Sequence, residues 1–371
     1  MTQQDLGVAL KEQAIRSDGA KASELLAQAV AAYRSALEVY TREQLPQNWA
    51  MTQQNLGLVL WQQGIRTEGH KASELLAQAV AANRSALEVF TREQLPQDWA
   101  GTQNNLGIAL QNQGIRTEGA QGAELLGQAV AAYRSALEVR TREQLPQDWA
   151  MTQQNLGVAL KKQAIRSEGA KATGLLSQAV AAYRSALEVS TREALPQSWA
   201  MTQNNLGNAL KEQAIRSEGA KATKLLVQTV TAYRGALEIM TREQLPQQWA
   251  ETQNNLGLTL REQAIRSKGT NATELLVQTV SAYRSALVVR TREQLPQEWA
   301  ETQNNLGRAL SDQAVRTEGA KGAELLAQAV TVLRSCLEIY TAEAFPFYHE
   351  RAQEQLKECE RLLTQAKPQA Q

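Results

Sequence analysis

The chain has 371 residues, 43% of them hydrophobic, and is close to neutral, with 39 Lys and Arg against 38 Asp and Glu. That balance excludes the electrostatic footprint of a nucleic-acid or anionic-membrane binder, and no apolar run is long enough to span a bilayer. At this length one globular core would be near its size limit, whereas an array growing in one dimension escapes that limit.

No basic-then-apolar leader is read, so a cytoplasmic protein is expected. The two cysteines, Cys336 and Cys359, lie in helical surroundings near the C-terminus. Buried thiols are the expectation there, since one isolated pair gives no support to a disulfide or metal site.

Self-similarity is the dominant signal. Trp49, Gln53, Leu56, Gly57, Leu60, Arg66, Gly69, Leu75, Leu76, Gln78 and Val80 return unchanged at intervals of 50 residues through the block that begins at Trp299. A fixed period of this kind means units that cannot bury their apolar faces alone and so stack on one another. Such a surface favours binding over a single catalytic pocket.

Within a block, Pro46 marks a helix start, where its missing N–H is an orphan donor in any case. From there Trp49, Leu56, Leu60 and Gly64 place one apolar stripe on one helix face. Ala50 and Gly57 flank the stripe and let a neighbouring helix approach. Gly69 is expected to stop this helix in the left-handed conformation. Ser73, or Thr173, Thr223 and Thr273 in later blocks, is expected to cap a second helix. That helix carries Leu75, Leu76, Ala79, Val80, Ala86 and Leu87 on a broad apolar face. Thr91 to Pro96 then leads to the next start.

The ends depart from the pattern. Phe345 to Glu350 replaces the Trp-Ala pair and runs into a charged stretch through Arg351, Glu354, Lys357 and Glu358. This is the polar terminal cap that solenoids need. Met1 falls where Met51, Met151 and Met201 fall inside their helices, so the first helix lacks its Pro-led turn. The chain is expected to be a fragment or an alternative start of a longer array, with weak self-association through the uncapped N-terminal repeat.

These residues resemble a known family. In the fourth block Leu156-Gly157, Leu160, Ala179, Tyr183, Ala186 and Pro196 stand in the order of the tetratricopeptide signature. The standard unit is about 34 residues, and here the longer turn and helices stretch it. Gln153 holds the position of the signature Trp, and Trp149 lies one helical turn earlier. The Asn-Asn-Leu-Gly run and the Leu-Pro-Gln-Asp-Trp-Ala linker look like the longer variants of kinesin light chains and of large cyanobacterial proteins. The resemblance implies an all-α, right-handed α-solenoid superhelix of about seven 50-residue helical hairpins plus a C-terminal capping helix. The blocks are expected near 1–46, 47–96, 97–146, 147–196, 197–246, 247–296 and 297–343, with the cap and tail over 344–371.

At about 100° per residue, Met51, Asn55, Leu58 and Gln62 fall opposite the apolar stripe. The resemblance implies that this face lines the concave side. Asn55, Asn105, Asn155, Asn205, Asn255 and Asn305 then form a ladder, with Asp5 in its place in the first block. A carboxamide offers two donors and an acceptor, so it can hold a peptide main chain whatever its sequence. Packed helices stand roughly 8–10 Å apart and an extended chain covers about 3.3–3.6 Å per residue. One rung therefore meets about every third residue of a bound peptide. The alternative is that each Asn bonds the neighbouring helix and positions the repeats.

Selectivity is expected where blocks differ: Trp61, read as an exposed aromatic, then Lys161, Lys211, Arg261, Asn208 and Arg308. The cations lie singly beside Glu212 and Glu262, which argues against two cations converging on one carboxylate. Arg66 and its equivalents are expected to sit on the negative end of their own helix dipole. Arg84 and its equivalents are expected to pair with Glu88 one turn on. His70 and His349 lie far apart, and no phosphate loop or metal spacing is present. No enzyme activity, cofactor or metal is expected. The expected function is an interaction scaffold that binds an extended peptide or partner protein, not nucleic acid or membrane. A self-assembling array, or the interaction part of a longer multidomain signalling protein, is the alternative.

Overall fold

The computed structural model describes residues 2–366, and all regular elements among them are α-helices. Met1 and the tail 367–371, part of the segment expected as cap and tail, lie outside the described residues. In chain order the helices are α1 (Gln3–Ile15), α2 (Gly19–Val39), α3 (Pro46–Ile65), α4 (Gly69–Ala86), α5 (Pro96–Arg116), α6 (Gly119–Leu137), α7 (Pro146–Ile165) and α8 (Gly169–Leu187). They continue as α9 (Pro196–Ile215), α10 (Gly219–Ile239), α11 (Pro246–Arg266), α12 (Gly269–Leu287), α13 (Pro296–Ala314), α14 (Gly319–Leu337) and α15 (Pro346–Ala366).

The chain forms two compact units, one up to Ser190 and one from Thr191 onward. The first holds α1 to α8 and the second α9 to α15. In each, a helix pairs with its successor in a hairpin, and the second helix of one hairpin packs on the first helix of the next. Successive first helices also touch: α1 on α3, α3 on α5 and α5 on α7, then α9 on α11, α11 on α13 and α13 on α15. A first helix is therefore enclosed on more sides than a single apolar stripe would require.

Local chemistry explains the hairpin ends. Proline opens α3 and each later first helix as expected. The linker before it is a turn held by Thr41, whose hydroxyl accepts from Gln44 N at 3.2 Å and whose carbonyl accepts from Leu45 N at 3.0 Å. Gly69 takes the left-handed conformation at φ 65°, and its six equivalents lie between 55° and 68°. These glycines open the second helices instead of ending the first, because the first helix already ends at Ile65 with Arg66 as its last turn. The predicted caps also change role. Ser73, Thr173, Thr223 and Thr273 lie inside α4, α8, α10 and α12, whose N-caps are Glu68, Glu168, Glu218 and Lys268, and Thr173 and Thr223 donate to the carbonyls of Gly169 and Gly219.

Packing centres on a tyrosine against a glycine. Tyr33, Tyr133, Tyr183, Tyr233 and Tyr283 are fully buried, and their rings lie where a Cβ on Gly7, Gly107, Gly157, Gly207 or Gly257 would stand. Asn83 and Leu333 occupy the same place against Gly57 and Gly307. Trp49 and its equivalents, placed on the core stripe by their spacing, are only half-buried. A fully enclosed polar residue recurs at Thr52, at 0% exposure together with Thr102, Thr152, Thr202, Thr252 and Thr302. Its hydroxyl donates to the carbonyl four residues back, as Thr52 does to Asn48 at 2.7 Å, which removes the cost of burying it.

The arginines stitch hairpins together, which their own helices did not reveal. Arg84 bonds Gln128 of the next hairpin at 2.9 Å, and Arg34, Arg134, Arg234 and Arg284 do the same with Gln78, Gln178, Gln278 and Gln328. The partner expected for Arg84, Glu88, is taken instead by Arg42 of the preceding linker. Val288 breaks this second series, and Arg242 turns to Glu243 at 3.4 Å. Arg116 and Arg166 reach back to carbonyls at the end of the previous first helix, Arg116 to Gly64 at 2.8 Å and Arg166 to Ile115 at 2.8 Å. These two satisfy the orphan carbonyls of a neighbour, whereas Arg66, Arg216 and Arg316 bond the end of their own helix as expected, Arg66 to the Gln62 carbonyl at 3.2 Å.

Candidate functional site

The face proposed from the sequence runs along the first helices. Met51 at its edge is exposed, whereas Asn55, Leu58 and Gln62 are half-buried. The reason is the contact between successive first helices, which covers part of this face.

The ladder positions divide into three kinds. Asn55, Asn105 and Asn205 are half-buried and make no side-chain hydrogen bond among the described residues. Asn155 donates to Asn104 Oδ1 of the preceding hairpin at 3.2 Å. Asn255 is 9% exposed, donates to Asn208 Oδ1 at 3.4 Å and accepts from Lys211 Nζ at 3.1 Å. Asn305 is also 9% exposed, and its Nδ2 has no partner among the described residues. Asp5, in the corresponding place of the first block, closes a capping box. Its carboxylate accepts from Thr2 N at 3.0 Å and Thr2 Oγ1 accepts from Asp5 N at 3.1 Å.

The selectivity positions are more enclosed than their helix spacing suggested. Trp61, expected as an exposed aromatic, is half-buried, with its indole Nε1 out of solvent and unpaired among the described residues. Leu58, Asn105 and Ile108 line a small gap with it, because the next first helix packs alongside. Lys161 is half-buried. Burial pulls the Lys211 ammonium below the usual lysine range, while Glu212, Glu251 and Glu301 pull the other way. Asn208 accepts from the Tyr233 hydroxyl at 2.8 Å. Arg261 is held by Asp312 of the next hairpin at 2.7 Å. Glu212 and Glu262, expected beside these cations, pair instead with Arg216 and Arg266 one turn on. Arg308 is half-buried, and burial together with Arg261 and Arg351 lowers its pKa.

A polar column missed in the sequence lies one residue before the ladder. Gln54 donates to Thr102 Oγ1 at 2.8 Å, while Thr152 donates to Asn104 at 3.4 Å and Thr252 to Asn204 at 3.1 Å. The unbroken return of Thr52 was the available signal, since a threonine on an exposed helix face is readily replaced. Two buried arginines join this column. Arg140 donates to Thr152 Oγ1 at 3.0 Å and Arg290 to Thr302 Oγ1 at 3.0 Å. Burial lowers the Arg140 pKa against the opposing pull of Asp148.

Chemically, the face offers amide donors and acceptors in rows, with single charges between them. Among the described residues no group of three or more His, Cys, Asp or Glu could hold a metal ion, and no helix is long and apolar enough to cross a membrane.

No family model matches the chain, and no curated protein matches it. Among solved structures it is similar to the C-terminal part of a TPR repeat-containing protein from Cytophaga hutchinsonii, at 11% identity over 79% of this chain and 97% of that one, TM-score 0.41. It is similar to the apo form of RapI, at 12% identity over 93% and 85%, TM-score 0.49. A circular tandem repeat protein aligns at 17% identity over 98% and 96%, TM-score 0.35. By its own helices and their pairing the chain is a repeated helical-hairpin array, and the solved structures it is similar to include a TPR repeat-containing protein.

Proposed function

We propose that the chain is a protein-interaction scaffold, cytoplasmic in setting, that holds an extended peptide or partner segment along the first-helix face of its units. The carboxamides of the ladder bond the partner's main chain. The observation that carries this reading is the state of Asn55, Asn105 and Asn205, half-buried side chains with no hydrogen bond among the described residues. A packed interior satisfies nearly all such groups, so amides left open on the first-helix faces, Asn55 and Asn105 in the first unit and Asn205 in the second, suit a partner that supplies peptide N–H and C=O groups. Asn155 and Asn255, each tied to the preceding hairpin, position the repeats and keep only part of their bonding capacity for a partner.

The test uses the full chain against a panel of unrelated, unstructured peptides, with affinities read by fluorescence polarisation. Replacing Asn55, Asn105 and Asn205 by Ala should weaken the peptides that bind by roughly tenfold or more, alike across sequences, because main-chain pairing ignores side chains. Helicity should be unchanged. Equal affinity of the triple variant and the parent for every binding peptide would refute the ladder as a binding device.

A further inference from the structure

A groove of about 540 Å³ runs along the second helices of the second unit, between α12 and α14. Val280 and Leu325, both buried, form its floor. Val277 and Val288 stand on its α12 rim at 50% and 54% exposure, so half of each is open to water. Packing of the repeat does not require either valine. The position of Val277 holds Ala27, Ala77, Gly127, Ser177, Val227 and Ala327 in other blocks. That of Val288 holds Glu38, Glu88, Glu138, Glu188, Glu238 and Glu338. The corresponding groove of the first unit, between α2 and α4, has about 290 Å³ and Ala27 in the place of Val277.

The charges change with the valines. Elsewhere a linker arginine pairs with the glutamate that Val288 replaces, as Arg42 does with Glu88, Arg192 with Glu238 and Arg292 with Glu338. Arg242 loses that partner and is left with the adjoining Glu243 at 3.4 Å, both side chains more than half exposed. Toward the other end of the groove, Lys321 makes no hydrogen bond or ion pair among the described residues. Gln328 engages the remaining charges, accepting from Arg284 at 2.9 Å and donating to Glu324 at 3.3 Å. An apolar rim thus lies between two cations that no neighbouring hairpin neutralises.

We propose that this groove docks an amphipathic helix of a partner protein. The helix lays its apolar stripe on Val277, Val280, Val288 and Leu325, with carboxylates toward Lys321 at one end and Arg242 at the other. Single exposed apolar residues are ordinary, but a contiguous apolar strip with a charged margin marks an interaction surface. From Val277 to Val288 the rim covers about 16 Å at 1.5 Å per residue, the reach of about three turns of a helix seated in a groove. Opposed charges at its ends set direction and exclude basic partners. A concave strip between two helices receives inserted side chains, which a flat bilayer surface does not supply. The site lies on second helices and does not rest on the asparagine ladder of the first helices.

The test titrates the full chain with synthetic helical peptides of about 15 residues, read by fluorescence polarisation. All carry leucines at helical spacing, with Glu, Gln or Lys at the remaining positions. The Glu peptide should bind roughly tenfold or more tighter than the Lys peptide, a preference that shrinks at high salt. Val288→Glu returns a partner to Arg242, and Val277→Ala trims the rim. Each installs a residue other blocks carry, so each should weaken the Glu peptide roughly tenfold without changing the circular dichroism spectrum. Replacing Asn55, Asn105 and Asn205 by Ala should leave this binding unchanged, which separates failure of the groove from failure of the ladder. Equal affinity for the three peptides, unchanged affinity in both valine variants, or loss of binding in the asparagine variant would overturn the proposal. So would binding to phosphatidylserine vesicles that Val288→Glu abolishes, which assigns the strip to a membrane, or a dimer that Val288→Glu disperses, which assigns it to a second copy.

Discussion

The contact between Gly157 and Tyr183 allows a prediction whose sign depends on the packing. An alanine Cβ at Gly157 would lie 2.7 Å from Tyr183 Cε1, 2.8 Å from Cζ and 2.9 Å from Cδ1. Carbon atoms pack best at about 3.5–4.0 Å, so ring or helix must give by about 0.8 Å or more. Tyr183 is 0% exposed, so its ring cannot swing out into solvent without unpacking the hairpin. Overpacking of this kind costs about 1–3 kcal/mol, and alanine returns about 1 kcal/mol over glycine in a helix interior. Gly157→Ala should therefore destabilise the α7–α8 hairpin by about 1 kcal/mol, the middle of that difference.

With the ring removed the sign should reverse. In a Tyr183→Ala background the clash is gone and only the helix preference remains, so the same Gly157→Ala change should stabilise by up to about 1 kcal/mol. Neighbour-coupled repeats need not unfold in one step, so the reading should be local. Amide hydrogen exchange over α7 and α8, compared across the four members of the cycle, reports it. A Gly157→Ala effect of the same sign and size in both backgrounds would show that the close approach is not what holds glycine there.

Two further outcomes follow from other contacts. Arg166→Ala removes the bonds to the carbonyls of Gly114, Ile115 and Thr117, so hydrogen exchange should quicken several-fold in the turn after α5 while α7 itself stays protected; protection lost mainly at the end of α7 would return the arginine to its own helix. Burial pushes the Cys336 thiol up to about 12 and Cys359 is also enclosed, so iodoacetamide at mildly alkaline pH should label neither in the folded chain and both in urea, and rapid labelling of the native protein would contradict this enclosure.

The sequence by itself determined what depends on near neighbours. Proline at Pro46, a glycine with positive φ at Gly69 and apolar residues at helical spacing act within a few residues. The helices and their hairpin pairing were therefore legible. Local reading misplaced only details, such as the side of the turn to which Gly69 belongs and the role of Ser73. The tertiary structure alone decided the partners. Arg84 meets Gln128, Arg42 meets Glu88, Gln54 meets Thr102 and Arg116 meets Gly64, at separations of 44, 46, 48 and 52 residues. A helical wheel assigns a residue to a face but not to a neighbour. Asn255 and Arg261, placed on an open face by their spacing, thus came to lie against Lys211 and Asp312. Arg351, which looked like part of a solvated cap, came to share a cavity with Arg308. The rotation and offset of one hairpin on the next select these partners. Rings seated against glycines set the two helices within each hairpin, and the threonines enclosed between first helices help to set the offset of one hairpin on the next, contacts that no local stretch of chain reveals.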